Sequence, residues 1–407
     1  MAAVGLSGLP EMWPVPGVRL GVARAGIKKP DRRDLVVVAL DARSVTAGVF
    51  TLNAFCAAPV TLARRHLSEA SPRYFLINTG YANAGTGNAG LEDASQCCEG
   101  LARLAGCTPN AILPFSTGVI GERLPVAKVL AGLPQALADL RANGWVDAAH
   151  GIMTTDTVPK GASVRVPIGD RTVTVTGLAK GSGMIQPNMA TMLAFVATDA
   201  SVTQPVLQSL LKDTVDRSFN CVTVDGDTST NDACMLVATG AAGAPMIDTT
   251  EGPDYAALRA AVYQVCLTLA QAVVRDGEGA TKFITVQVEG GRSVEECRAV
   301  AYTVAHSPLV KTAFFASDPN WGRILAAVGR AGITDLDVER VNIDLNAVRI
   351  VSGGGRDARY TEELGQAAMR AAEITICIQL QRGNASAQVW TCDFSYDYVR
   401  INAEYRS

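Results

Sequence analysis

A threonine set where a glycine-rich loop runs into an apolar stretch can be structural or chemical, and KGSGMIQPNMATMLAF, residues 180–195, raises that choice at Thr191. A β-branched residue opening a strand is ordinary. Chemistry at Thr191 needs a base, and histidine does not supply it. The three histidines, at 66, 150 and 306, have neither metal-ligand spacing nor a serine in a nucleophile-elbow sequence, so each reads as a surface or packing residue. A threonine that is the first residue of its chain carries its own base, the α-amine. That amine has a pKa of about 7.7–8.0 against about 10.4 for lysine, so at neutral pH it accepts a proton more readily than Lys180. The Ala190–Thr191 bond must then be cut. The chain can do this itself: the Thr191 hydroxyl attacks the Ala190 carbonyl, the peptide becomes an ester, and water hydrolyses it.

Other loops bring further polar groups. PFSTGVIGERLP (114–125) sets Ser116, Thr117 and Gly118 after a strand and before a helix, where backbone N–H groups can face a developing oxyanion or merely cap the helix. MTTDTVPKG (153–161) and VDGDTSTND (224–232) gather hydroxyls and acids without the ligand spacing of a calcium loop, so caps and Asx turns account for them. RDGEGATK presents Glu278 between glycines, and SDPNWGR (317–323) is a turn leading into a helix. GTGNAG (85–90) matches a dinucleotide fingerprint, but AILPFSTG supplies no ribose-binding acid, and a tight loop around Asn78 and Asn83 is the better reading.

The elements that must carry these loops alternate between strand and helix. DLVVVALD (34–41) and TAGVFTL (46–52) read as consecutive strands, YFLINTG (74–80) as a third and AILPF (111–115) as a fourth. Residues 91–106 form a helix with Gly106 as C-cap, 124–144 another, and 203–220 an amphipathic third with Thr203 as N-cap. SVRVPIGDRTVTVTG is a hairpin about Gly169-Asp170, residues 254–274 a long helix, and 284–290 a strand. The fold class is α/β, mixed α+β, with layered sheets flanked by helices. We expect a larger domain over 1–282 containing the cleavage site and a C-terminal α/β domain over 283–407.

Composition bounds the function. With 407 residues, 48% hydrophobic and 18% charged, the chain affords large cores. A net charge of −3 and no long Lys/Arg cluster argue against nucleic acid as partner. The start MAAVGLSGLPEMWPVPG lacks the basic head and unbroken apolar stretch of a signal peptide. The apolar run near 233–247 falls short of the roughly 20 residues that span a bilayer, so a cytoplasmic protein away from membranes is expected. Ten cysteines without a C-x-x-C pair read as reduced thiols, and neither a metal nor a redox cofactor is called for.

Taken together, KGSGMIQPNMATMLAF, NTGYANAGTG, LPFSTGVI, MTTDTVPK, DGDTSTND, RDGEGATKF, FFASDPNWGRI and the ending INAEYRS resemble the ornithine acetyltransferase family of arginine biosynthesis, over residues 26–407. The resemblance implies a self-cleaving, N-terminal-nucleophile-like architecture with fragments 1–190 and 191–407 assembled as a heterotetramer of two of each. It implies ping-pong acetyl transfer from N-acetylornithine to glutamate through Thr191. Thr117 and Gly118 match the oxyanion hole; Thr157, Lys180, Glu278, Asn402 and Ser407 match substrate-binding positions, along with Thr191. Charge chemistry would pair Lys180 with a substrate carboxylate and Glu278 with the δ-ammonium. The resemblance leaves acetyl-CoA open as a second donor. Two other readings stand beside it: a related aminopeptidase or amidase that cleaves itself before a serine, disfavoured by the threonine, and a non-enzymatic binding module, which would remain uncleaved.

Overall fold

The structure, a computed structural model, describes residues 3–186 and 192–404, so Ala190, Thr191 and Ser407 lie outside the described residues. Two compact units make up the chain. One comprises Gly8–Asn220 and Asp227–Val273; the other comprises Met1–Ser7, Cys221–Gly226 and Val274–Ser407.

In the larger unit the elements run β1 (Val18–Ala23), β2 (Leu35–Leu40), β3 (Val45–Phe50), α1 (Ala58–Glu69), β4 (Tyr74–Tyr81), α2 (Gly87–Ala105), β5 (Ile112–Val119), α3 (Val126–Ala138), α4 (Trp145–Gly151), β6 (Lys160–Ile168), β7 (Arg171–Lys180), β8 (Leu193–Thr198), α5 (Gln204–Arg217), β9 (Ala233–Ala238) and α6 (Pro253–Arg275). The strands form two sheets, of order β1-β2-β4-β5 and β3-β9-β8-β7-β6. Why β2 is apolar at every position follows from its place between two cores. Val36, Val38 and Leu40 face a core shared with Leu193, Phe195 and Met235 of the second sheet, while Leu35 and Val37 face a core shared with α2 and α3. Phe115 meets Phe75 and Phe195 edge-on, at 5.6 and 5.0 Å between ring centroids, so one aromatic cluster joins the sheets. On the far side, α6 lies against β7. A Cβ on Gly177 would come within 3.0 Å of Val265 and 3.1 Å of Leu269.

Several expectations shift. DLVVVALD and TAGVFTL are consecutive strands of different sheets. The Ser116-Thr117-Gly118 sequence is no turn before a helix: it is the final part of β5. The expected 124–144 helix ends at Ala138, beyond the internal Pro134; Asp139 closes its last turn through an N–H bond to the Gln135 carbonyl at 3.0 Å, and its carboxylate accepts the Val22 N–H of β1 at 2.9 Å. Thr203 is an N-cap by position but makes no side-chain capping bond. The helix most like a membrane span is α6 and not the 233–247 run: it is long and apolar enough by length and composition, yet 56% of its apolar window is buried in the fold.

The second unit contains β10 (Phe283–Gly291), α7 (Val294–Ala305), α8 (Pro308–Phe315), α9 (Trp321–Gly329), β11 (Asn342–Leu345), β12 (Val348–Ser352), β13 (Gly355–Arg356), α10 (Glu362–Met369), β14 (Glu373–Gln379), β15 (Ala385–Cys392) and α11 (Tyr396–Ala403). Its sheet has the order β13-β12-β11-β14-β10-β15. Along β10, Ile284, Val286 and Val288 are buried while Thr285 and Gln287 are half-buried, the alternation of a sheet with one face on the core.

Candidate functional site

In the larger unit the polar groups gather at one end of the paired sheets. Lys180 ends β7, and its Nζ donates to the Thr117 hydroxyl of β5 at 3.0 Å, bridging the sheets. Gly118 follows. Its φ is +138°, and a Cβ there would lie 2.2 Å from the Gly80 carbonyl carbon, so only glycine fits. The β4–β5 ladder is irregular at this point, with Tyr81 opposite both Thr117 and Val119, as in bulges that re-aim groups beside active sites. Ser116 donates to Asn78 Oδ1 at 2.5 Å.

Behind Lys180 sits Asp156, fully buried within the MTTDT loop. Its Oδ1 accepts from Lys160 Nζ at 2.6 Å and from the Gly181 N–H at 2.7 Å, and its Oδ2 from the Thr154 N–H at 2.9 Å. Burial by itself would raise its pKa, but the Lys160 and Lys180 ammonium groups overcome that and hold the carboxyl well below the usual carboxylate range. Asp156 therefore ties the loop carrying Thr157, which is exposed, to the strand end carrying Lys180. Arg32 secures the loop from outside by donating to the Met153 carbonyl at 2.6 Å and the Thr154 carbonyl at 3.1 Å.

The third contribution is the start of β9. Asn231 Nδ2 donates to the carbonyls of Ala82 at 2.6 Å and Ser116 at 2.9 Å, and the Ala233 N–H donates to the Met192 carbonyl at 3.0 Å. Leu193, two residues after Thr191 in sequence, pairs with both Lys180 and Ala233. Asp156, Lys160, Asn231 and Asp232 lie within the hydroxyl- and acid-rich motifs, where their spacing alone does not mark them as functional. The signals available were opposite charges four apart in TTDTVPK and an acid directly before the apolar ACMLVA.

The smaller unit holds Glu278 and Asn402. Asn402 Nδ2 donates to Glu278 Oε2 at 2.9 Å, so these two expected residues do meet. The loop around Glu278 is held from the chain that follows β15: Asp393 accepts the N–H groups of Thr281 and Lys282, each at 2.8 Å, and Ser395 donates to the Gly279 carbonyl at 2.6 Å. Gly279, at φ +72°, leaves no room for a Cβ, which would be 2.5 Å from the Tyr398 nitrogen. Lys311, fully buried, donates to Thr391 Oγ1 at 2.8 Å and to the Cys392 carbonyl, fixing the end of β15. Among the described residues no cluster of three or more His, Cys, Asp or Glu could hold a metal. GTGNAG is a loop only at Gly85 and Thr86, because α2 begins at Gly87, four residues before the expected start at 91; the turn is tied to the helix where Asn83 Nδ2 donates to the Gly90 carbonyl at 2.8 Å and Thr86 donates to Asn83 Oδ1 at 2.9 Å.

The sequence pattern of the ArgJ family matches residues 19–407. The arginine biosynthesis bifunctional proteins ArgJ of Pseudomonas syringae pv. tomato and Pseudomonas fluorescens are each 58% identical to the chain over 405 residues, covering 100% of both sequences. Among solved structures, the arginine biosynthesis bifunctional protein argJ of Bacillus halodurans is 40% identical, covering 51% of this chain and 97% of that one with a TM-score of 0.49. The ornithine acetyltransferase of Mycobacterium tuberculosis, solved with ornithine, is 35% identical, covering 44% of this chain and 94% of that one with a TM-score of 0.39. With the family pattern over residues 19–407 and relatives 58% identical over 405 residues, the chain belongs to the ArgJ family, the acyltransferases of arginine biosynthesis.

Proposed function

We propose that the chain cuts itself before Thr191 and then moves an acetyl group from N2-acetylornithine to glutamate by a ping-pong mechanism, releasing ornithine and N-acetylglutamate. The Thr191 hydroxyl gives its proton to the new α-amine and adds to the acetyl carbonyl. The tetrahedral oxyanion collapses, the ammonium returns the proton to the departing ornithine nitrogen, and acetyl-Thr191 remains. The glutamate amine then attacks that ester and carries the acetyl group away. Acetyl-CoA is a second donor for the same acyl-enzyme. The fragments 1–190 and 191–407 assemble as a heterotetramer working in the cytoplasm.

The observation that carries this reading is the contact between Lys180 and Thr117. Because the ammonium donates to the Thr117 oxygen at 3.0 Å, the hydroxyl proton is left to point elsewhere and is made a stronger donor. With the Gly118 N–H it forms the oxyanion hole. Thr157, Lys180, Glu278, Asn402 and Ser407 bind substrate, Lys180 through a carboxylate and Glu278, oriented by Asn402, through the δ-ammonium of ornithine. Initial rates with acetylornithine and glutamate should give parallel double-reciprocal lines, and mass spectrometry should find one acetyl group on the fragment beginning TMLAF. Intersecting lines with no acetylated fragment would replace the covalent route by direct transfer.

A further inference from the structure

Acetyl transfer at Thr191 needs two strand ends, from different sheets, at a set separation. Thr117 and Gly118 belong to the end of β5 in the first sheet, and Thr191 precedes Met192 and the start of β8 in the second. Backbone pairing alone holds the first of these poorly. β5 is the edge of its sheet, with β4 as its one partner strand, and their ladder is irregular at Tyr81, where such irregularities disrupt the regular bonds.

One side chain supplies what the ladder lacks. Asn231, 7% exposed, stands on DTSTND (227–232), the loop that enters β9. Its Nδ2 carries two N–H groups, and each meets a carbonyl: Ala82, just after β4, at 2.6 Å, and Ser116, on β5, at 2.9 Å. The Ser116 carbonyl shares a peptide plane with the Thr117 N–H, so fixing one fixes the other. The amide is itself held, because its Oδ1 accepts from the Thr230 hydroxyl at 2.6 Å. An aspartate here would set oxygen against oxygen at both carbonyls. Two residues on, Ala233 pairs with Leu193 and donates its N–H to the Met192 carbonyl at 3.0 Å. The loop has outside anchors as well: the Thr51 N–H donates to the Asp232 carbonyl at 3.0 Å, the Ala57 N–H to the Thr230 carbonyl at 2.9 Å, and the Thr228 hydroxyl to the Gln186 carbonyl at 3.2 Å. Residues 231–233 therefore join the end of β5 to the start of β8 through a short, fully bonded path.

We propose that Asn231 is a positioning residue for acetyl transfer: it touches no substrate, and it holds the oxyanion donors at the end of β5 at a fixed distance from the nucleophile that precedes β8. The inference rests on the proposed roles of Thr117 and Gly118 as the oxyanion hole and of Thr191 as the nucleophile. An oxyanion donor acts only within about 2.7–3.1 Å of the place where charge develops, and a misplacement of about 1 Å costs about 10²-fold in rate. Losing the Asn231 amide therefore slows acyl transfer and leaves substrate binding, which falls to other side chains, as it was.

The test is a double-mutant cycle of Asn231→Ala and Gly118→Ala in the self-cleaved full chain, with steady-state rates normalised to the fragment beginning TMLAF that mass spectrometry shows to take up acetyl. Asn231→Ala should lower kcat by about 10–10²-fold, with KM for acetylornithine and glutamate within about twofold of wild type. In the Gly118→Ala background it should cost no more than about threefold further, because the donors it positions are already displaced. A normalised kcat equal to wild type would make Asn231 a structural tie and nothing more. An undiminished loss in the Gly118→Ala background would mean that it acts elsewhere than at the end of β5, and a rise in KM alone would make it a binding residue. Each of these overturns the proposal while leaving acetyl-Thr191 in place. If Gly118→Ala by itself leaves kcat unchanged, the oxyanion reading falls and takes the proposal with it. Should Asn231→Ala fail to fold or to cut itself, Thr230→Val, which loosens the Asn231 amide without removing it, goes through the same cycle with a smaller loss and the same non-additivity expected; Thr117→Val replaces Gly118→Ala on the same ground.

Discussion

At the scale of single residues, Asp156 shows how one buried charge organises several others. It holds two main-chain N–H groups from different segments and an ammonium group, with both side chains of the Asp156–Lys160 pair fully buried. Removing one member of such a pair strands the other, which typically costs about 3–5 kcal/mol. Asp156→Asn should therefore destabilise the protein by roughly that amount. The pH dependence has a definite sign. The folded-state pKa is depressed, so the stabilisation is present above the unfolded value of about 3.9 and is lost as pH falls through it towards the folded value. Unfolding in urea at a series of acid pH values should show a flatter decline for Asp156→Asn than for the wild type. Parallel declines would mean that Asp156 carries no linked proton. None of this was legible at TTDT, because an acid in a hydroxyl-rich loop becomes a buried anchor only once Lys160 and the Gly181 N–H are brought against it.

At the scale of elements, local chemistry predicted most of the segments, and packing decided how they end. Gly106 closes α2 in the left-handed conformation at φ +67°, and Ile168 pairs with Arg171 across the Gly169-Asp170 turn, both as the sequence indicates. β5 runs further than AILPF because β4 offers it a parallel partner as far as Tyr81. That extension turns Ser116, Thr117 and Gly118 from a loop into strand residues whose orientation is set by the pleat. Gly118→Ala is accordingly an element-scale change. Its Cβ would meet the Gly80 carbonyl, at a φ that alanine rarely adopts, so the end of β5 must move away from β4. Turnover should fall by about 10²–10³, the usual cost of a lost oxyanion donor. The fall should be in kcat with KM changed little, as measured by steady-state kinetics on folded variant protein. An effect on KM alone would assign this strand end to substrate binding.

At the scale of the whole molecule, the proposed cut has a topological consequence. The second sheet of the larger unit has the order β3-β9-β8-β7-β6. Cutting between residues 190 and 191 would give β3, β6 and β7 to one fragment and β8 and β9 to the other. The strands would interleave, β3 pairing with β9 and β7 with β8. Fragments so interleaved cannot part without breaking backbone ladders on both sides of β8 and β9. They should co-elute in native size-exclusion chromatography and separate only in denaturant, whereas Thr191→Ala should remain one chain. Fragments that exchange freely under native conditions would contradict this sheet order.

Sequence by itself determined the secondary elements with strong patterns, the mixed α/β class and, through motifs dispersed along the chain, the family. These are carried by periodicity, turn residues and local spacing, which a linear chain displays directly. Tertiary structure alone decided that DLVVVALD and TAGVFTL belong to different sheets, that Lys180 reaches Thr117, that Asn402 holds Glu278, and that Asp156 is held against Lys160 and the Gly181 N–H. The partners in these contacts are 63 residues apart for Thr117 and Lys180 and 124 apart for Glu278 and Asn402. A side chain's charge state and bonding depend on what is packed against it, and that is set by sheet pairing between distant segments.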